Sequence, residues 1–138
     1  MDKNIFIPFR GISASIFFGD TREDIRKTLG RDFIEVKRNE FAVNSSDYYE
    51  IFGFFVEFSS DNLCEAIEFT DLGSLFYNSE DLIKIDYSIL RNNFDKHSLN
   101  IEEEIGIGVT YHDLGFSVTK KKDKDNIETI LIFSKTYW

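Results

Sequence analysis

The stretch FGFFVEFSSDNLCEAIEF, residues 52–69, decides how this chain folds. Phe52, Phe54, Val56 and Phe58 fall on every second position, the period of a strand with one buried face. Burying each side chain is worth roughly 1.5–3 kcal/mol, so this face belongs in the core. Ser59, Ser60, Asp61 and Asn62 interrupt the pattern, and the chain returns through Leu63 to Phe69, which reads as a hairpin. Two registers are open. In a three-residue loop Asn62 takes the left-handed conformation that asparagine tolerates, Phe58 faces Cys64, and Glu57 faces Glu65. In a four-residue loop Phe58 faces Leu63 and Val56 faces Glu65. The first is preferred because Asn62 suits it. It sets two like charges opposite each other, which a sheet tolerates with water, a nearby cation or a partner. It also leaves Glu68 among aromatics on the core face, where a carboxylate requires a partner or a bulge that turns it outward.

Working outward, ISASIFF (12–18) reads as a strand. In GDTREDIRKTLG, Thr21 is an N-cap with Asp24 three positions on, Ile25 and Leu29 share a face, and Gly30 supplies the stop. RDFIEVKR (31–38) reads as a strand, NEFAVNSSD as a turn-rich connection, and DYYEIFGFFVEF (47–58) as one further strand. SEDLIKIDYSILRNNFDKH (79–97) reads as a short extended piece and then a helix capped near Asp86. IGIGVTY, LGFSVTK and IETILIFSK close the chain as strands, the last two flanking a KKDKDN hairpin tip. Short loops between successive strands require antiparallel pairing. The expected fold is therefore α+β: an antiparallel sheet of about six to seven strands with two short helices packed on one side. Residues 1–138 are expected to form a single domain.

Composition bounds the function. The net charge is −9, from 25 acidic against 16 basic residues, which repels nucleic acid and anionic membranes and favours basic partners. Solubility alone would also favour such a charge. A lone cysteine, Cys64, forbids an internal disulfide and suits a reducing compartment. MDKNIFIPFRG lacks the apolar segment of a signal peptide, and no long apolar run suggests a membrane span. A cytoplasmic location is expected.

No catalytic residue, metal site or cofactor is expected. His97 and His112 are far apart and lack ligand spacing. Cys64 has no adjacent base to activate it. The glycines of IGIGV precede no helix, so they form no phosphate loop. The basic run from Lys120 to Lys124 is diluted by Asp123 and lacks interleaved aromatics. Glu57 and Glu65 could meet a glycosidase separation, but nothing suggests a sugar cleft.

What remains is surplus acid. Glu102, Glu103 and Glu104, with Asp47, Glu50, Glu57, Glu65, Glu68 and Asp71, supply enough carboxylates for a patch. Tyr48 among them is of a type enriched at protein interfaces. Its other reading is a strand start with one tyrosine in and one out.

GDTREDIRKTLG, SDYYEIFGFFVEFSSDNLCEAIEF and IGIGVTYHDLGFSV resemble small bacterial immunity proteins, the antidotes of polymorphic or contact-dependent toxins. The likeness lies in a helix ending in Leu-Gly, a Tyr-Tyr…Gly strand, a Val-Glu-Phe hairpin and a late Leu-Gly strand. It implies binding: an acidic protein covering the active site of a cognate toxin, such as a nuclease with a basic groove. Two rivals stand beside it. One is a small-ligand or structural module with a Phe-lined pocket; the other is an enzyme using the glutamates.

Overall fold

A computed structural model of the chain describes residues 3–13 and 16–138. The N-terminal segment forms a three-stranded ribbon of β1 (Phe6–Ile7), β2 (Gly11–Ile12) and β3 (Ile16–Phe17). The strand expected over 12–18 is thus two short pieces, and residues 14 and 15 lie outside the described ones. Helix α1 (Arg22–Leu29) follows as its sequence dictates. Thr21 Oγ1 accepts the Asp24 N–H at 3.1 Å, and Gly30 ends the helix at φ 94°, donating its N–H to Arg26 O.

The main sheet has eight antiparallel strands, more than the sequence suggested. They are β4 (Ile34–Val36), β5 (Ser46–Tyr49), β6 (Phe54–Phe58), β7 (Cys64–Phe69), β10 (Ile101–Glu104), β11 (Gly108–Tyr111), β12 (Phe116–Lys120) and β13 (Ile127–Phe133). A separate two-stranded ribbon pairs β8 (Phe76–Tyr77) with β9 (Glu80–Asp81). Across the main sheet the order is β10-β11-β12-β13-β7-β6-β5-β4.

Two departures raise the strand number. DYYEIFGFFVEF is not one strand: the chain turns at Glu50–Gly53, where Gly53 has φ 69°, so Tyr49 pairs with Phe54 and Tyr48 with Phe55. The acidic run at 102–104 is itself a strand, paired with β11 at one edge of the sheet. Its alternation is masked because every residue of β10 is exposed.

Both helices meet one face. Registers place Asp47, Val56, Ile67, Ile132, Phe116 and Tyr111 in a single cross-strand row. Arg22 and Arg26 of α1 reach Asp47 at one end of that row. Phe94 of α2 (Tyr87–Phe94) packs on Phe116 and Tyr111 at the other. Asp86 is the N-cap of α2 as expected, but its side chain makes no capping bond. Asp125, from the β12–β13 tip, instead accepts the Ser88 N–H at 3.0 Å. One cluster of buried side chains, including Ile25, Phe54, Ile67, Leu90 and Phe116, joins both helices to the sheet.

Candidate functional site on the open face of the sheet

The 52–69 hairpin resolves its own charge conflict with a bulge. Asn62 is left-handed at φ 64° and Phe58 faces Cys64, as the three-residue loop requires. The register then slips between Glu57 and Phe58, so Glu57 faces Ala66 and Glu65 has no partner across the strand. The expected Glu57–Glu65 facing pair does not form. The extra residue also flips everything beyond it. Ile67 and Phe69 enter the core, and Glu68 leaves it to face Phe55 on the open side.

That open face carries the candidate site. Tyr48 and Phe55 stack across β5 and β6 with ring centroids 4.4 Å apart. The Arg38 guanidinium lies 3.9 Å from the centre of the Phe55 ring and bonds Glu68 at 2.6 Å. Such aromatic and arginine groups dominate protein-binding hot spots. Glu57 sits one position along, against Tyr137, whose hydroxyl donates to it at 3.0 Å. Tyr137 arrives from the C-terminal segment, which folds back so that its ring stacks on Phe133. Glu57 and Glu65 also line one cleft of about 190 Å³ with Arg38, Asn44 and Ser46. Glu68 therefore bonds the Arg38 guanidinium, and Glu57 and Glu65 share a cleft with it.

Burial is the main cause that raises the Glu57 carboxyl above its ordinary value; Glu68 and Glu65 add to it, while the Tyr137 hydroxyl and Arg38 oppose it. Burial likewise raises Glu65. Ionised Glu57 is thus less comfortable in the fold than in the unfolded chain. Its contribution to stability is present below its ordinary value of 4.5 and is lost as pH rises through the elevated folded value. Glu57→Gln is expected to raise stability at about pH 8, with the gain shrinking towards about pH 4. Urea unfolding of both proteins across that range checks this. A gain that grew on acidification would contradict the assignment.

The other sequence-nominated residues lie elsewhere. Asp47 is wholly buried on the core face, held by Arg22 at 2.9 Å and Arg26 at 2.8 Å, and cannot meet a partner. This corrects its expected place in the patch: its cations come from a helix more than twenty positions upstream. Glu50 is exposed at the β5–β6 turn. Asp71 lies past the end of β7, with Lys121 at 2.9 Å, and this lysine holds its carboxyl below the ordinary value. Glu102 bonds His112 at 2.7 Å and Glu103 bonds Arg91 at 3.1 Å, whereas Glu104 is exposed. β10 stands four strand spacings from β7, or roughly 19 Å. That is more than twice the screening length of about 8 Å at physiological salt, so the two acidic groups do not act as one patch.

Comparison of the chain with protein-family models, curated proteins and solved structures finds no match.

The groups that complete this face, Arg38, Phe55 and Tyr137, escaped sequence reading. Phe55 was hidden by the assumption of one long strand, and no local pattern links Tyr137 to Glu57, some 80 residues away. Burial raises the Cys64 thiol. Among the described residues, no three His, Cys, Asp or Glu side chains converge as a metal site requires. Among them, too, no helix is long and apolar enough to cross a membrane.

Proposed function

We propose that this chain is a binding protein of the immunity kind, which neutralises a cognate toxin in the cytoplasm by docking through the open face around Glu57, Glu65 and Glu68. The partner that suits this face is a basic protein, such as a nuclease whose substrate groove is built for phosphate. One observation carries the reading: Glu68 pairs with Arg38 beside the half-buried Tyr48–Phe55 stack, and Glu57 and Glu65 line a cleft with the same arginine. A net charge of −9 reinforces it by steering cationic partners inward and repelling nucleic acid itself. Asp71 and Glu102 to Glu104 contribute to this long-range field rather than to the contact.

The decisive measurement is association with the product of a neighbouring toxin-like reading frame, followed by stopped flow at rising salt. The rate is expected to fall steeply with ionic strength. Glu65→Lys or Glu57→Lys is expected to weaken the complex by about tenfold or more, with an unchanged circular dichroism spectrum. Association indifferent to salt and to both reversals would remove the acidic-face reading.

A further inference from the structure

A second site lies on the other side of the sheet, independent of the partner-binding face. A half-open cavity of about 500 Å³ is bounded by the N-terminal segment, the β8–β9 ribbon and the end of α2. That volume is in the range of small-molecule sites. Four lining rings contact one another in a closed circuit. Phe6 meets Phe116 at 5.7 Å, Phe116 meets Phe94 at 5.0 Å, Phe94 meets Tyr77 at 6.0 Å, and Tyr77 returns to Phe6 at 5.8 Å. Phe6 and Phe116 are buried, whereas Tyr77 and Phe94 keep part of their surface open. Interlocked rings fix one another, so the apolar wall is preformed and well suited to a flat ring.

Among the described residues, the polar lining holds one carboxylate, one ammonium and one imidazole. Its one carboxylate, Glu80, already accepts from the Asn93 amide at 3.3 Å. Lys96 and His97, on the 3-10 turn that follows α2, have no side-chain hydrogen-bond or ion-pair partner among the described residues. Asp95, next to them in sequence, is held by Arg91 at 2.9 Å and by the Tyr111 hydroxyl at 2.6 Å, so it does not neutralise Lys96. Asn78, at the tip of the β8–β9 ribbon with φ 51°, adds to the lining an amide unengaged among the described residues. The cavity thus offers an aromatic body site beside a lysine and a histidine whose side chains are unengaged among the described residues.

We infer that this cavity binds a small aromatic carboxylate, its ring against the Phe6–Tyr77–Phe94–Phe116 wall and its anionic end towards Lys96 and His97. A doubly charged phosphate suits it less. The carbonyl-bearing end of α2 opposes any anion, but a doubly charged one more, and among the described residues the lining contains no helix N-terminus to offset it.

The test is titration of the isotope-labelled full chain, followed by amide resonances, with naphthylacetate, naphthylacetamide, naphthylmethylamine and naphthyl phosphate. Naphthylacetate is expected to saturate with a dissociation constant of about 1 mM or tighter, perturbing residues around Tyr77, Phe94 and Leu114. The uncharged amide should bind about threefold to fivefold more weakly, the amine more weakly still, and Lys96→Gln should erase the preference for carboxylate over amide. Equal binding of carboxylate and amide, tighter binding of the phosphate, shifts confined to another surface, or no saturation would each overturn the assignment. Lys96 is exposed, so its substitution leaves the fold intact.

Discussion

Asp47→Asn is expected to lower the unfolding free energy by about 3 kcal/mol or more, the cost of breaking a buried ion pair from one side. Asp47 is wholly buried, and both of its oxygens are engaged. Arg26 approaches it with two nitrogens, at 2.8 and 2.9 Å, while Arg22 adds a third bond at 2.9 Å. Asp47 hydrogen bonding is the largest cause raising the Arg26 guanidinium further above its already high value. Each guanidinium also lies over a core-side ring, Arg22 on Phe58 at 4.1 Å and Arg26 on Phe33 at 4.3 Å. Removing the carboxylate leaves two confined cations facing each other across a neutral amide. Chemical denaturation should show the loss directly. The exposed pair Glu23–Arg31 is the control, and Glu23→Gln should leave the midpoint nearly unmoved. An equally small effect at Asp47 would mean that water, rather than burial, sets the energetics of this network.

Gly53→Ala should destabilise by a comparable amount, about 3 kcal/mol, through two additive mechanisms. Gly53 has φ 69°, and a Cβ added there would lie 2.3 Å from Gly73 N and 2.5 Å from Leu72 C, both main-chain atoms that cannot swing aside. Its carbonyl also accepts the Thr70 N–H at 2.9 Å and the Thr70 hydroxyl at 3.1 Å, so the turn cannot shift without breaking these bonds. Gly30 separates the two mechanisms: it has φ 94°, but an alanine methyl there would meet nothing within 4 Å. Gly30→Ala should cost only about 1–2 kcal/mol, from the positive φ alone. The consequence reaches the face proposed for binding: the Gly53 turn brings Tyr48 opposite Phe55, so on that proposal Gly53→Ala should also weaken partner binding. A Gly53→Ala loss no larger than that of Gly30→Ala would rule out the steric mechanism.

Much of the fold was legible because its signals are local. Thr21, Asp24 and Gly30 delimit α1 by hydrogen bonds and dihedral angles that involve residues a few positions apart. Asn62 marked its turn for the same reason. The candidate face was only partly legible. Glu57, Glu65, Glu68 and Tyr48 do share it, but Asp47 was assigned by charge alone, and its burial depends on arginines from α1. The two-strand reading of 47–58 was missed because the turn at Glu50–Gly53 lies inside a run rich in β-favouring aromatics.

By itself, the sequence settled the α+β character, the cap-delimited α1, the left-handed turn at Asn62, the buried face of Phe54, Val56 and Phe58, and the surplus of negative charge. All of these follow from dihedral preference, side-chain periodicity and composition. Tertiary structure alone decided where the acids go. The bulge beside Glu57 turns Glu68 outward, strand order carries Glu102 far from it, and α1 draws Asp47 inside. The reason is that burying or exposing a charge depends on partners that only long-range pairing delivers, whereas a turn or a cap is satisfied by its own neighbours.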